Sequence, residues 1–173
     1  MLQEKLSTTP ARWPWYAVRV KSNFEHVTAS ALEVRSLERL APTYRTRRRW
    51  SDRVKEVDLP LFPGYVFCRF DIMDRLQVLS APGVVGIVNF GKMFPTVDEA
   101  EIEAVRRILD SGVGCEPWND LKSGCAMQIL YGPLAGLTGC VIQVKSGYRL
   151  VVSVTLLQRS ISVEIDRDWA KPL

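Results

Sequence analysis

Apolar and polar positions alternate through Trp15-Tyr16-Ala17-Val18-Arg19-Val20-Lys21, most clearly in its second half. A period of two is that of a strand. Ser22 or Asn23 is placed to cap a helix with Glu25 in its first turn. Val27, Leu32, Val34, Leu37 and Leu40 are the apolar positions of that helix, Glu33, Arg35, Glu38 and Arg39 lie mainly outside, and Pro42 stops it. Tyr44 to Trp50 and Val54 to Val57 read as two short polar strands around Ser51-Asp52, a hairpin. Leu61-Phe62-Pro63-Gly64 is a turn feeding Tyr65 to Phe70, the stretch with the highest strand propensity. A short helix is expected over Asp71 to Leu79 and, after Pro82-Gly83, a strand from Val84 to Phe90. Phe94 to Val97 is a brief extended piece. Asp98 then caps a helix from Glu99 to about Leu109, acidic at its start and with Arg106-Arg107 near its end, as the helix dipole favours. The order β-α-β-β-β-α-β-α is that of an α+β domain, a mainly antiparallel sheet with helices.

The pattern changes after residue 110. Ser111 to Asn119 reads S-G-V-G-C-E-P-W-N, with two glycines, a proline and no periodicity, which is the composition of a linker. Beyond it only strand-like segments follow: Ala126 to Tyr131, Cys140 to Lys145, Tyr148 to Leu156 and Ser160 to Ile165. Short strands at that spacing suggest a small barrel. The expected division is a first domain over 13–112, a linker over 113–120 and an all-β domain over 121–173. A chain of 173 residues has room for little more.

Charge divides the chain differently. Residues 1–70 carry 13 Lys+Arg against 7 Asp+Glu, residues 71–120 carry 4 against 9, and residues 121–173 carry 6 against 3. The overall +4 therefore hides basic ends and an acidic middle, able to offer one face to a polyanion and another to a protein. The densest basic run is Arg45, Arg47, Arg48, Arg49, Arg53 and Lys55, interleaved with Tyr44 and Trp50. Alone, such a run is also what a solvated hairpin looks like.

Composition narrows the chemistry. His26 is the only histidine, and Cys68, Cys115, Cys125 and Cys140 form no CxxC pair with zinc spacing. No hydrolytic triad, phosphate loop or metal cluster can be assembled, so neither a catalytic residue nor a cofactor is expected. No apolar run approaches the roughly 20 residues that span a bilayer, and the first residues lack the apolar core of a secretory signal. A cytoplasmic protein away from membranes is expected, with its thiols as small buried hydrophobes.

Two motifs carry a resemblance. Gly132-Pro133-Leu134-Ala135-Gly136-Leu137-Thr138-Gly139, within the run from Gly124 through Val141 and ahead of Arg149 to Val154, resembles a KOW motif in an SH3-like barrel. Trp15-Tyr16, then Pro60-Leu61-Phe62-Pro63-Gly64-Tyr65-Val66-Phe67, then Gly83-Val84-Val85 ahead of Phe90-Gly91 add a NusG-type N-terminal domain. In that order they resemble the NusG family of transcription elongation factors, over about residues 13–173. The resemblance implies an antiparallel N-terminal sheet with helices, a linker and a small all-β KOW barrel. It also implies a monomeric elongation and antitermination factor that binds RNA polymerase and modulates pausing and termination.

The family's polymerase-clamp contact falls on Tyr65, Phe67 and Phe90. Residues 65 and 67 share a sheet face, which is either core under a helix or an open interface; composition does not separate the two. The implied nucleic-acid contacts are Lys21, Asn23 and His26, toward the non-template DNA strand, and Arg47, Arg48 and Arg49 on the hairpin. The KOW domain is expected to recruit Rho or a ribosomal small-subunit protein through Leu157, Gln158 and Arg159. Leu157 stands where the family barrel usually has an aromatic residue, and Pro133-Leu134 replaces a more frequent Pro-Phe. Val20-Lys21-Ser22-Asn23-Phe24-Glu25 departs from the Tyr-Ser-Gly-Tyr-Glu-like stretch of housekeeping members, and resembles the specialised paralogues that act on selected long operons. The β-branched run Val151, Val152, Val154, Thr155, Ile161, Val163 and Ile165 favours a stable barrel over a helical hairpin. The alternative is a ribosome-associated KOW-type RNA-binding protein, which would bind RNA tightly through residues 121–173. An enzyme is a weaker third reading.

Overall fold

The structure is a computed structural model that describes residues 12–119 and 124–173. Strand β1 (Trp15–Val20) lies between β5 (Tyr65–Arg69) and β6 (Val84–Ile87), and β2 (Glu38–Leu40) adds to the far side of β5. Every pairing in this sheet is antiparallel, with Val18 opposite Val66 and Ala17 opposite Phe67. Alternation then sorts the side chains. Tyr16, Val18, Val20, Val66 and Cys68 form one face, packed beneath Ala29 and Leu32 of helix α1 (Glu25–Val34) and Val78 of the short α2 (Leu76–Leu79). Trp15, Ala17 and Phe67 form the other, packed with Leu61, Phe62 and the apolar side of α3 (Glu99–Asp110). Helices therefore cover both faces of the sheet, with α3 on the face that Phe67 shares.

Helix α3 begins where expected, with the Asp98 carboxylate accepting from the Ala100 N–H at 2.8 Å. Helix α1 is shorter than expected and has no side-chain cap. It stops at a turn in which Ser36 takes φ 58°, and Glu38–Leu40 pairs with β5 instead of continuing the helix. This pairing sets Glu38 directly opposite Arg69. The basic hairpin forms as β3 (Thr43–Arg49) and β4 (Val54–Pro60).

The C-terminal strands are β7 (Cys115–Trp118), β8 (Cys125–Ile129), β9 (Thr138–Val144), β10 (Gly147–Val154), β11 (Arg159–Ile165) and β12 (Ala170–Pro172). They form one sheet in the order β12-β8-β9-β10-β11-β7. Among the described residues no ladder joins β12 to β7, so the barrel is not closed. Strand β7 comes from the stretch read as linker, and pairs with β11 from Ser160–Trp118 to Val163–Cys115. Pro117 is tolerated because β7 is an edge strand. Gly139 is needed where β9 crosses β10, since a Cβ there would lie 2.7 Å from the Val151 carbonyl.

The two sheets share one apolar cluster. Trp15, Phe62, Phe67, Ile102, Val105 and Ile108 are continuous with Leu134, Leu137, Leu150, Val152, Val154 and Ile161. Polar contacts border it: Arg107 donates to the Ala135 carbonyl, and the Thr155 N–H and hydroxyl donate to Glu101 Oε1 at 3.1 and 2.6 Å. Only residues 111–114 separate α3 from β7. No described helix is long and apolar enough to cross a membrane.

Candidate functional site

The turn before β5 sets the first candidate surface. Gly64 takes φ 83°, a conformation that glycine adopts without strain, and its N–H donates to Glu25 Oε1 at 2.8 Å. That carboxylate is almost fully buried, so α1 fixes the turn that launches Tyr65. Tyr65 is half-buried, with the Arg159 guanidinium 5.1 Å from its ring centre. Phe67 is fully buried, edge-on to Phe62 at 5.3 Å and 82°. Phe90 is exposed, outside β6 in a tight turn where Phe90 and Met93 exchange backbone hydrogen bonds of 2.9 and 3.0 Å. The three aromatics do not make one open patch. Two belong to the face that α3 and the C-terminal sheet cover, and the third stands apart.

The second candidate surface covers the first. After β10 a 3₁₀ turn (Thr155–Leu157) leads to Gln158 in the left-handed region at φ 51°. This turn delivers Arg159 to the Pro63 carbonyl at 3.0 Å and over the Tyr65 ring. Leu156 and Leu157 pack against the shared cluster. The loop read as a recruiter of partners thus sits on the turn read as the start of the polymerase contact. Both sets of residues came from the sequence; their mutual contact did not, because nothing local encodes a meeting of residues almost a hundred positions apart.

Trp15 is the main feature that the site reading missed. It is fully buried, with the Arg69 guanidinium 4.8 Å and the Arg106 guanidinium 4.9 Å from its ring centre. Glu38 bridges them, at 2.9 Å from Arg69 and 2.8 Å from Arg106, and Glu99 pairs with Arg69. Burial raises the pKa of Glu38, but the Arg106 hydrogen bond and the charges of Arg69, Arg106 and Arg12 outweigh it and hold the carboxyl below its usual range. The network ties β2, β5 and α3 together. A Trp opening a strand with arginines elsewhere was the available signal, and it was too weak to pair them.

Lys21, Asn23 and His26 are all exposed, at the junction of β1 and α1. Asn23 takes φ 65°, and Phe24 and Val27 in the same stretch are exposed as well. Arg47, Arg48 and Arg49 are exposed along β3, and Arg47 pairs with Glu56 at 3.3 Å. Cys68 is buried, which pushes its thiol up to about 12. The Cys115 thiol is raised by burial as well, which disfavours its thiolate. Among the described residues no group of three or more His, Cys, Asp or Glu is placed to hold a metal.

Comparison with known proteins places this architecture. Residues 14–106 match the family model described as transcription termination factor NusG. The chain is 25% identical to the transcription termination/antitermination protein NusG of Thermus thermophilus, covering 88% of this chain and 94% of that protein. It is 24% identical to the protein of the same name from Helicobacter pylori, over 87% and 93%. For the one from Lactococcus lactis the identity is 27%, over 88% and 89%. Among solved structures, "Domain interaction in Thermotoga maritima NusG" superposes with a TM-score of 0.52 at 20% identity, covering 92% of this chain and 97% of that one, a likeness of fold. The ribosome-associated alternative finds no support in these relatives. With the family model spanning more than half of it, the chain belongs to the NusG family.

Proposed function

We propose that this protein is a transcription elongation and antitermination factor that binds RNA polymerase and makes or breaks no bond itself. The observation that carries this is the NusG match over residues 14–106, joined to a C-terminal all-β sheet. Residues 13–112 are the polymerase-binding unit, 113–120 the connection and 121–173 the KOW unit. Tyr65, Phe67 and Phe90 meet the polymerase clamp. Lys21, Asn23 and His26 face the non-template strand, with Arg47, Arg48 and Arg49 on the hairpin nearby. Leu157, Gln158 and Arg159 engage Rho or a ribosomal small-subunit protein. The divergent segment Val20 to Glu25 supports a specialised, operon-selective member working in the cytoplasm.

Geometry adds a condition. The closed arrangement leaves Tyr65 beneath Arg159, so the clamp reaches Tyr65 only after the C-terminal sheet moves off, and Phe67 supports that surface from beneath, against Phe62 and α3. The same movement frees Leu157 to Arg159. Polymerase binding and partner recruitment thus become available together, and a ligand for either face shifts the population toward the open form. The four residues 111–114, with Gly112 at φ 71°, are the hinge, and β7 lengthens it if it leaves β11.

Co-purification with core RNA polymerase tests the reading. The full chain is expected to retain the enzyme, and Tyr65→Ala, which removes a half-buried ring without emptying the core, to weaken retention several-fold. Failure of the wild-type chain to bind polymerase or an assembled elongation complex overturns the function; equal binding by Tyr65→Ala overturns the assignment of the surface.

A further inference from the structure

The β3–β4 hairpin has two unlike faces. Its register sets Arg45 opposite Asp58, Arg47 opposite Glu56 and Arg49 opposite Val54 on one face. Two of those cations are neutralised, since Arg45 lies 3.3 Å from Asp58 and Arg47 3.3 Å from Glu56. The other face begins at Tyr44 and Leu59, near the core, and passes through half-buried Thr46 and Val57 to Arg48 and Lys55, directly opposed. One step further the Trp50 N–H donates to the Arg53 carbonyl at 2.8 Å, closing the tip around Ser51 and Asp52. Strand alternation thus puts Arg48, Trp50, Arg53 and Lys55 on one side. Among the described residues Arg48, Arg53 and Lys55 have no ion-pair partner. Trp50 is 58% exposed. Like charges directly opposed in a ladder are destabilising, and an exposed indole gains nothing from water. Together they suit a ligand that supplies both negative charge and a flat apolar surface.

We propose that this tip face is a clip for an unpaired nucleic-acid strand, with a base stacked on Trp50 and the flanking phosphates on Arg48, Arg53 and Lys55. The proposal deepens the nucleic-acid reading of the hairpin given above, and names the side that does the binding. Stacking on an indole requires a base out of its duplex, and is tolerant of sequence. Stacking on the indole and charge contacts to phosphates do not involve the sugar, so DNA and RNA strands bind alike. Arg48 and Lys55 fix charge, while Trp50 fixes strandedness.

The test is fluorescence anisotropy of the full chain with labelled mixed-sequence strands of about 12 nucleotides, as DNA, as RNA and as blunt DNA duplex, between about 50 and about 200 mM salt. Polymerase is absent, so this outcome is independent of polymerase binding. Single strands of DNA and RNA are expected to bind within about threefold of each other, and more tightly than the duplex. Removing two phosphate contacts in Arg48→Ala/Lys55→Ala lowers affinity roughly tenfold at low salt and flattens the log–log salt slope by about 1.4. Trp50→Ala weakens binding roughly tenfold with the slope unchanged, and Trp50→Phe restores most of it. Arg45→Ala/Asp58→Ala, on the paired face, changes neither. Preference for duplex, absence of binding, or wild-type affinity in Arg48→Ala/Lys55→Ala overturns the proposal. A loss confined to the charge variant, with Trp50→Ala unaffected, also overturns it, since the surface would then be a plain polyanion site.

Discussion

Glu38 shows how much a single side chain can hold. Its carboxylate joins β2 to β5 through Arg69 and to α3 through Arg106, and those cations keep it ionised below the usual glutamate range. A depressed folded pKa contributes stability above the unfolded value and loses it as pH falls through the folded one. Glu38→Gln is therefore expected to lower the melting temperature at pH 7, with the gap to wild type narrowing as the pH drops below about 4; thermal denaturation across pH reads this, and a constant gap contradicts it. Phe67 and Phe90 make a second contrast. Phe67→Ala empties a fully buried site and is expected to destabilise by about 3–5 kcal/mol in urea unfolding, whereas Phe90→Ala, at the surface, should stay within about 0.5 kcal/mol. The sequence set Phe67 correctly on a strand, but it set Phe90 on one as well, where the strand ends at Ile87 and Phe90 lies in a turn. It did not say which are core, because burial of Phe67 is decided by α3 and by a sheet far along the chain.

Elements with local signals were legible and those made by distant pairing were not. Helix α3 carries its own cap, charge polarity and apolar side, and forms where those place it. The hairpin is likewise readable from its turn. Glu38–Leu40 looked helical by periodicity, yet pairs with β5, and Cys115–Trp118 looked like linker, yet pairs with β11. In both, three or four residues with weak propensity take the state of the edge they meet. The β-rich C-terminal part was legible from its β-branched runs, although its barrel stays open between β12 and β7. The loop before β6 gives a test at this scale. Gly83 has φ 82°, and a Cβ there would lie 2.6 Å from the Phe24 side chain. Gly83→Ala is therefore expected to cost about 1–2 kcal/mol or more, and to loosen the β1–α1 junction that carries Lys21, Asn23 and His26; hydrogen exchange at Lys21, whose N–H bonds the Gly83 carbonyl at 2.8 Å, would report it.

At the scale of the whole molecule, the two candidate docking surfaces occupy each other. Arg159 covers Tyr65, and Leu157 of the preceding turn packs against the cluster that contains Phe67. A binding face available only in a minor open form has its apparent affinity reduced by that form's population. The family resemblance pointed to both surfaces, but their contact is a property of the folded chain. The central claim, a polymerase-binding factor whose docking face is held closed, is tested most directly by the affinity for core RNA polymerase of the full chain against Leu157→Glu/Arg159→Ala, with and without Tyr65→Ala. The expected result is tighter binding by the opened variant, by roughly tenfold or more if the open form is a minor species, and loss of that gain when Tyr65 is replaced. Equal affinity in all of them, or weaker binding by the opened variant, would contradict the account.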